Sequence, residues 1–421
     1  MTARSGPALS RARVRWLLLV LALLVGWQVP LTARLAPALA IQHAEEALAA
    51  SARLGLPPDA PSAPPVSAAG AVVYDPQIDR VLYGKQETSP RLIASTSKIM
   101  TALLALEAGT LEEEVTVSAG AVETGGTPGA ATLNLSAGQR VPMRSLLAGL
   151  VMRSGNDAAV AVAEHVAGDE AAFVARMNAR AAELGLTGTR FVDSSGLAED
   201  PGNESTPLDL ARLAAVAMSD EIFADWAGAV QLTVQGLNPL VNRNELLESY
   251  AGASGVKTGF TTRAGLCLVA SATRDGWTLY TVVLGSEASF ADTTALLDHG
   301  YTAFRRAVPA SPAAPAGRYH WPDASADLVV AEPLDTTLSV AQSALWRTVL
   351  DPVTPRPAAA GTSVGTAELL VDGEVVDAVE LQLATPVDAS SGTRSDGERA
   401  GAALQESLRA FVRLAPIDRA A

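Results

Sequence analysis

Ser95 and Lys98 stand three residues apart in Ile93-Ala-Ser-Thr-Ser-Lys-Ile-Met-Thr101. On a helical turn that spacing puts a hydroxyl and an amine on one face. The apolar run Ile99, Met100, Ala102, Leu103, Leu104 and Leu106 then buries the helix. At a helix N-terminus the backbone N–H groups favour negative charge, so an oxyanion forms there readily and a protonated lysine is disfavoured. A buried lysine of lowered pKa can take the proton of a neighbouring serine and make it a nucleophile. The plain alternative is a helix N-cap, where serine is a preferred residue. Composition weighs against it. Of the 31 basic residues only Lys85, Lys98 and Lys257 are lysine, the rest being arginine. Arginine cannot give up its proton in a protein and lysine can. Two of the three lysines, in Ser95-x-x-Lys98 and Lys257-Thr258-Gly259, therefore point to proton chemistry.

Two further groups follow in the chain. Ser154-Gly155-Asn156 supplies a hydroxyl and an amide from one short turn, with a cap for the Ala-rich helix 158–167 as its structural alternative. Lys257-Thr258-Gly259 opens a strand pair, in which the apolar runs Leu266–Ala272 and Trp277–Leu284 are joined at the hairpin signal Arg274-Asp275-Gly276. Glycine at 259 lets another backbone approach an edge strand, and the lysine and threonine beside it can hold a carboxylate at the rim.

The elements that must position these groups can be read in order. Residues 1–40 carry five arginines and no acid, an apolar core from Trp16 to Val25, and Ala38-Leu39-Ala40, the pattern of a secretory signal. The charge-free span Trp16–Ala33 reaches the lower edge of membrane-spanning length, so an uncleaved membrane anchor is the alternative. Either way the remainder is exported, secreted or membrane-associated. Residues 41–68 are a Pro/Ala-rich spacer. Ala71–Asp75 and Val81–Tyr83 form a hairpin, and residues 171–186 a helix carrying Phe173, Met177 and Leu184. Prolines 309, 312 and 315 mark a linker at 307–317. A β-rich region follows at 318–387, turning at Asp372-Gly373. The polar tail 388–421 ends in a short amphipathic helix.

With 421 residues and 48% hydrophobic content, the chain can bury a large core. The net charge of −14 excludes a nucleic-acid partner, which requires a basic footprint. The single cysteine, Cys267, forms no internal disulfide and reads as a buried strand residue. The four histidines are scattered, without metal-ligand spacing.

The three motifs, in this order, resemble those of the penicillin-binding protein and serine β-lactamase superfamily. Their surroundings are similar to the low-molecular-weight D-alanyl-D-alanine carboxypeptidases. The matching stretches include Ser154–Ala159, Phe173–Asn178, Gly196-Leu197, Asn242-x-Asn244-x-Leu246-Leu247, Gly255–Thr261 and Ala264–Ala272. The resemblance covers about residues 69–305, and more loosely a small C-terminal β-domain. It implies an α/β DD-peptidase/β-lactamase-like catalytic domain over 69–306, with an antiparallel sheet flanked by helices and a helical subdomain. It implies a substrate, the peptidoglycan stem peptide ending in D-Ala-D-Ala, and β-lactam antibiotics as covalent inhibitors, with no cofactor. Ser95 would be the nucleophile, Lys98 its base and Ser154 a proton relay. Asn156, Lys257, Thr258, Gly259, Phe260 and Thr261 would bind substrate, with the backbone N–H groups of Ser95 and Phe260 as the oxyanion hole. This chain departs from the family at Ile93 (often proline), Ser97 (often threonine) and Ser289, where many members carry a carboxylate-binding arginine; that places carboxylate binding on Lys257, Thr258 and Thr261. A β-lactamase of the same fold lacks support, because around Thr187–Ser195 the chain has Asp193 but no Glu-x-x-Leu-Asn. A non-catalytic wall-binding homologue is the other alternative, and the intact motifs argue against it.

Overall fold

The computed structural model describes residues 63–388, apart from 313, 322–323, 341, 343 and 352–356. The signal or anchor at 1–40, most of the 41–68 spacer and nearly all of the 388–421 tail lie outside the described residues. The chain divides into two compact units, one ending at Arg306 and the other resuming at Ala307.

The first unit is built on five antiparallel strands: β1 (Gly70–Asp75), β2 (Arg80–Lys85), β3 (Ala253–Thr261), β4 (Gly265–Arg274) and β5 (Trp277–Ser286). They lie in the order β2-β1-β5-β4-β3. Alternate side chains leave a strand on opposite faces. Accordingly Val72, Tyr74, Val269, Val282 and Leu284 join the larger core against the helices. Ala71, Val73, Leu268, Ala270 and Val283 pack on the other side with Leu296 and Leu297. Both faces are covered, which is why these strands read as near-continuous apolar runs. At the β4–β5 hairpin, Asp275 (φ 51°) and Gly276 (φ 75°) are both left-handed, as a two-residue turn demands. The sheet leaves β3 at its edge.

Five helices frame the site: α1 (Lys98–Glu107), α2 (Met143–Arg153), α3 (Asn156–Ala167), α4 (Glu170–Glu183) and α5 (Ser289–Ala303). Each buries an apolar face, with Phe173, Met177 and Ala181 doing so for α4. Among the described residues no helix is long and apolar enough to cross a membrane.

In the second unit, strands Gly317–Trp321, Ala324–Val330, Glu374–Leu383, Ser363–Val371 and Ala344–Leu350 lie side by side in that order. They enclose a core that includes Tyr319, Leu328, Val364, Leu369 and Leu381. Asp372 (φ 51°) and Gly373 (φ 89°) turn the hairpin between its two longest strands. One stretch differs from the sequence reading. A strand, Phe304–Ala310, runs into the segment assigned to a linker and pairs with Leu334–Ser339. Proline is compatible with an edge strand, and both strands of a two-stranded sheet are edges.

Asp292, buried at the first turn of α5, ties the start of the described chain to the sheet. Its carboxylate accepts hydrogen bonds from Ser67 N (3.0 Å), Ser67 Oγ (2.7 Å), Ala68 N (2.9 Å) and Ser286 Oγ (2.7 Å). Asp292→Ala leaves those donors unpaired, and is expected to cost about 2–4 kcal/mol. Urea unfolding checks this as a lowered midpoint at unchanged slope.

Candidate active site

Ser95 lies in a 3₁₀ turn, Ala94–Ser97, that runs straight into α1. Neither Ile93 nor Ser97 caps these turns through its side chain, so the N-cap reading of the motif does not hold. Ala94 is left-handed at φ 46°, a conformation that costs a non-glycine residue energy and recurs at functional sites. Lys98, one turn on, is completely buried (0% exposed). Its Nζ lies 2.9 Å from Ser95 Oγ and donates to Asn156 Oδ1 (2.6 Å) and to the Ser195 carbonyl. Every partner is neutral. Burial pushes its pKa down to about 7; Asp193 opposes this, Arg243 adds to it and Asp157 opposes it.

Ser154 and Asn156 are brought to this lysine by the α2–α3 junction. Ser154 takes a left-handed conformation (φ 66°) that ends α2, and α3 begins at Asn156. Gly155, at the cap position, caps nothing with a side chain, so the capping alternative fails here as well. Asn156 is fixed twice, by Lys98 on its side chain and by Ala131 O, which accepts from its backbone N–H at 2.8 Å. Ser154 Oγ is buried with no hydrogen-bond partner among the described residues. Such an orphan costs free energy unless something arrives to satisfy it.

The third wall is β3. A Cβ at Gly259 would sit 3.1 Å from Ile93 O and 3.2 Å from both Ser95 N and Thr96 N, so glycine is what lets the strand lie against the Ser95 turn. Thr258, Gly259, Phe260 and Thr261 line a cleft of about 210 Å³ together with Ser95 and Ser154. Phe260 stands 63% exposed at its rim. Lys257 is 2% exposed, donates to its neighbour's carbonyl, Thr258 O (3.0 Å), and is held well below the ordinary lysine range by burial and by Lys98 and Arg243. The Thr261 hydroxyl accepts from Ala264 N (3.2 Å) and helps hold the Glu199 carboxyl below its ordinary range.

Sequence reasoning missed two components. Arg243 lines the cleft, with no ion-pair partner for its guanidinium among the described residues. Its neighbours hold it in place: Asn242 Nδ2 donates to Ala227 O and Ala229 O, and Asn244 Nδ2 to Gly255 O (2.9 Å). The signal was present in Asn242-x-Asn244, which carried the resemblance without being given a role. The second is the loop 193–198, whose Ser195 carbonyl holds Lys98. Ser289, at the position of the family's arginine, does line the cleft. A larger cleft of about 570 Å³ lies in the second unit beside Arg318, His320 and Trp346, but brings no nucleophile to a base. Among the described residues no group of side chains could hold a metal ion.

A serine hydroxyl beside a buried lysine whose pKa is pushed down to about 7, beneath a cleft with an unsatisfied second hydroxyl, is the arrangement a serine acyl-transfer enzyme needs. Comparison with known proteins narrows the class. A family model described as D-alanyl-D-alanine carboxypeptidase matches residues 58–288. The D-alanyl-D-alanine carboxypeptidase of Streptomyces sp. (strain K15) is 34% identical over 276 residues, 61% of this chain and 94% of that protein. DacF of Bacillus subtilis (strain 168), a D-alanyl-D-alanine carboxypeptidase, is 34% identical over 249 residues, and this chain spans 63% of its length. Among solved structures, penicillin binding protein 5 from Haemophilus influenzae superposes with a TM-score of 0.65 at 26% identity, covering 78% of this chain and 100% of that one. The chain belongs to the D-alanyl-D-alanine carboxypeptidase family of serine peptidases.

With Lys98 pushed down to about 7, the free amine predominates only above that pH. Acylation of Ser95 is therefore expected to fall as pH drops through about 7. Lys98→Arg, a cation that does not titrate in this range, should lower it at least about a hundredfold at every pH. Stopped-flow measurement of penicillin acylation between pH 5 and 9 checks both.

Proposed function

We propose that this protein is a serine-type D-Ala-D-Ala carboxypeptidase. It acts outside the cytoplasm on peptidoglycan stem pentapeptides during wall synthesis and remodelling, and β-lactams acylate it. The observation that carries the reading is Lys98 Nζ, buried among neutral partners and 2.9 Å from Ser95 Oγ. In this reading Ser95 attacks the penultimate carbonyl while Lys98 takes its proton. The backbone N–H groups of Ser95 and Phe260 hold the oxyanion. Asn156 orients the peptide amide, and Ser154 passes the proton to the departing D-alanine. Water then frees the acyl-enzyme, and no cofactor takes part.

The terminal carboxylate is drawn to the β3 rim by Lys257 and Thr258. Arg243 contributes the cation that lines the cleft, where Ser289 leaves the usual arginine absent. Thr261, which lines the same cleft, adds a hydroxyl at that rim. Arg243→Ala is expected to weaken turnover of substrates with a free terminal carboxylate at least tenfold more than that of amidated ones, since only the former lose a charge-assisted bond. Equal losses on both would remove Arg243 from carboxylate recognition.

No carboxylate lines the cleft among the described residues, so no carboxylate there activates water from another side against a penicillin adduct. A peptide acyl-enzyme has lost D-alanine, and water can enter where it stood; an opened β-lactam stays tethered in that space. Penicillin should therefore label Ser95 stoichiometrically, with a burst and little turnover, while a D-Ala-D-Ala pentapeptide is cleaved repeatedly. Intact-protein mass spectrometry over hours reads the adduct, and Ser95→Ala should abolish both activities. Rapid adduct decay with sustained penicillin hydrolysis would identify a lactamase instead.

A further inference from the structure

The mechanism needs Lys98 held in one orientation, and one of its three contacts comes from a segment with no assigned role. That contact is the Ser195 carbonyl, in Asp193-Ser194-Ser195-Gly196-Leu197-Ala198. Loop carbonyls point reliably only when the loop is tied down. Here the tie is the Asp193 side chain. Its Oδ1 accepts from Ser195 N (2.7 Å), from Gly196 N, from Ser195 Oγ (3.2 Å) and from Asn203 Nδ2 (3.3 Å); its Oδ2 accepts from Ala198 N (2.8 Å). No cation is paired with Asp193 among the described residues, so its negative charge is spread only over N–H and O–H donors. The loop is also pressed against the nucleophile turn. A Cβ at Gly196, which is left-handed at φ 73°, would run into the Ala94 carbonyl and the Ser97 hydroxyl. Glu170 fastens the next residue, accepting from Ser194 N (2.9 Å) and Ser194 Oγ (2.6 Å).

We propose that Asp193 is a positioning residue for the general base: its carboxylate fixes the loop that presents the Ser195 carbonyl to Lys98 and brings a negative charge, paired with no cation among the described residues, to that side of the amine. The proposal rests on the reading of Lys98 as the base of Ser95. The charged groups that act on Lys98 come from three sides. Asp193 lies on this loop, Asp157 on α3, and Arg243 and Lys257 on the cleft side. Burial lowers the lysine most, and Asp193 is the largest opposing influence. Without it, burial and Arg243 would act with only Asp157 against them.

The charge and the tie can be separated by substitution. Asp193→Asn keeps an acceptor for Ser195 N and Gly196 N, removes the charge, and gives up the bond from Ala198 N at an exposed position. Asp193→Ser keeps a hydroxyl acceptor in the same kind of turn. The readout is the pH profile of penicillin acylation of the full chain, with far-UV circular dichroism and a urea midpoint to verify folding. Selective ¹³C labelling adds a direct titration, because three lysines give a spectrum simple enough to assign. Removing a nearby negative charge favours the neutral amine. The acid limb of acylation and the Lys98 titration should both move to lower pH by roughly half a unit in either variant. Asp193→Ala should also lower the rate at all pH values about tenfold or more, as the carbonyl loses its support. If the wild-type chain takes no label on Ser95, the reading of the active site fails. If the wild type labels and both uncharged variants keep the limb where it was, whatever their rates, Asp193 only shapes the loop and the proposal is overturned. Unfolding of both variants would likewise reduce Asp193 to a fold-stabilising residue.

Discussion

The structure depends on keeping an amine out of water without giving it a counter-ion. A lysine in solvent holds its proton to a pH near 10, and a contacting carboxylate would make it hold the proton more tightly. Lys98 has neither solvent nor a contacting carboxylate. Its neighbours are a hydroxyl, an amide oxygen and a backbone carbonyl. Three separate parts of the chain must converge to build that environment: the 3₁₀ turn, the α2–α3 junction and the 193–198 loop. The apolar body of α1, with Ile99, Met100 and Ala102 fully buried, seats the turn that carries it.

The sheet contributes an edge. Interior strands of an antiparallel sheet spend their N–H and C=O groups on two neighbours, whereas β3 has one strand neighbour among the described residues, β4, and its other side faces the Ser95 turn. An edge strand can accept an extended peptide as an added strand. Such pairing would lay a stem peptide along Thr258 to Thr261, with its scissile carbonyl near Ser95. Gly259, with no side chain, lets β3 lie against the backbone of the Ile93–Thr96 turn, which brings this edge beside Ser95.

What the sequence made legible was local. The β4–β5 hairpin could be read from Asp275-Gly276, since those residues tolerate the left-handed φ that such a turn imposes. The Ser95–Lys98 pair could be read because helical geometry fixes residues three apart. Arg243 could not. Its place at the site comes from what surrounds it in space (Lys98, Lys257, a cleft without acids among the described residues), and none of those neighbours is near it in the chain. The Ser195 carbonyl was invisible for a different reason. A backbone oxygen has no residue type, and only a fold can aim it. Thr261 lines the cleft as its type suggested, and Glu199, whose carboxyl it helps hold below the ordinary range, is a neighbour sixty-two residues earlier that no local pattern announces.

In the proposed mechanism, the donor count at Lys98 matches what the proton transfer requires. A neutral amine has two N–H bonds and one lone pair. The Asn156 amide oxygen and the Ser195 carbonyl can take the two N–H bonds, leaving the lone pair to accept the Ser95 hydroxyl proton at 2.9 Å. When that proton transfers, the ammonium has three donors, and the same two acceptors remain beside the oxygen it came from. The amine therefore changes charge without needing to change partners, which keeps the reorganisation at the reacting atoms small. The resulting ammonium must then lose its proton in a place where burial disfavours it. A hydroxyl can accept from one side while donating on the other. Ser154 Oγ is the buried hydroxyl at this cleft left without a partner among the described residues. Its vacancy suits the relay: a hydroxyl committed to a protein acceptor would have no proton to pass to the leaving amine.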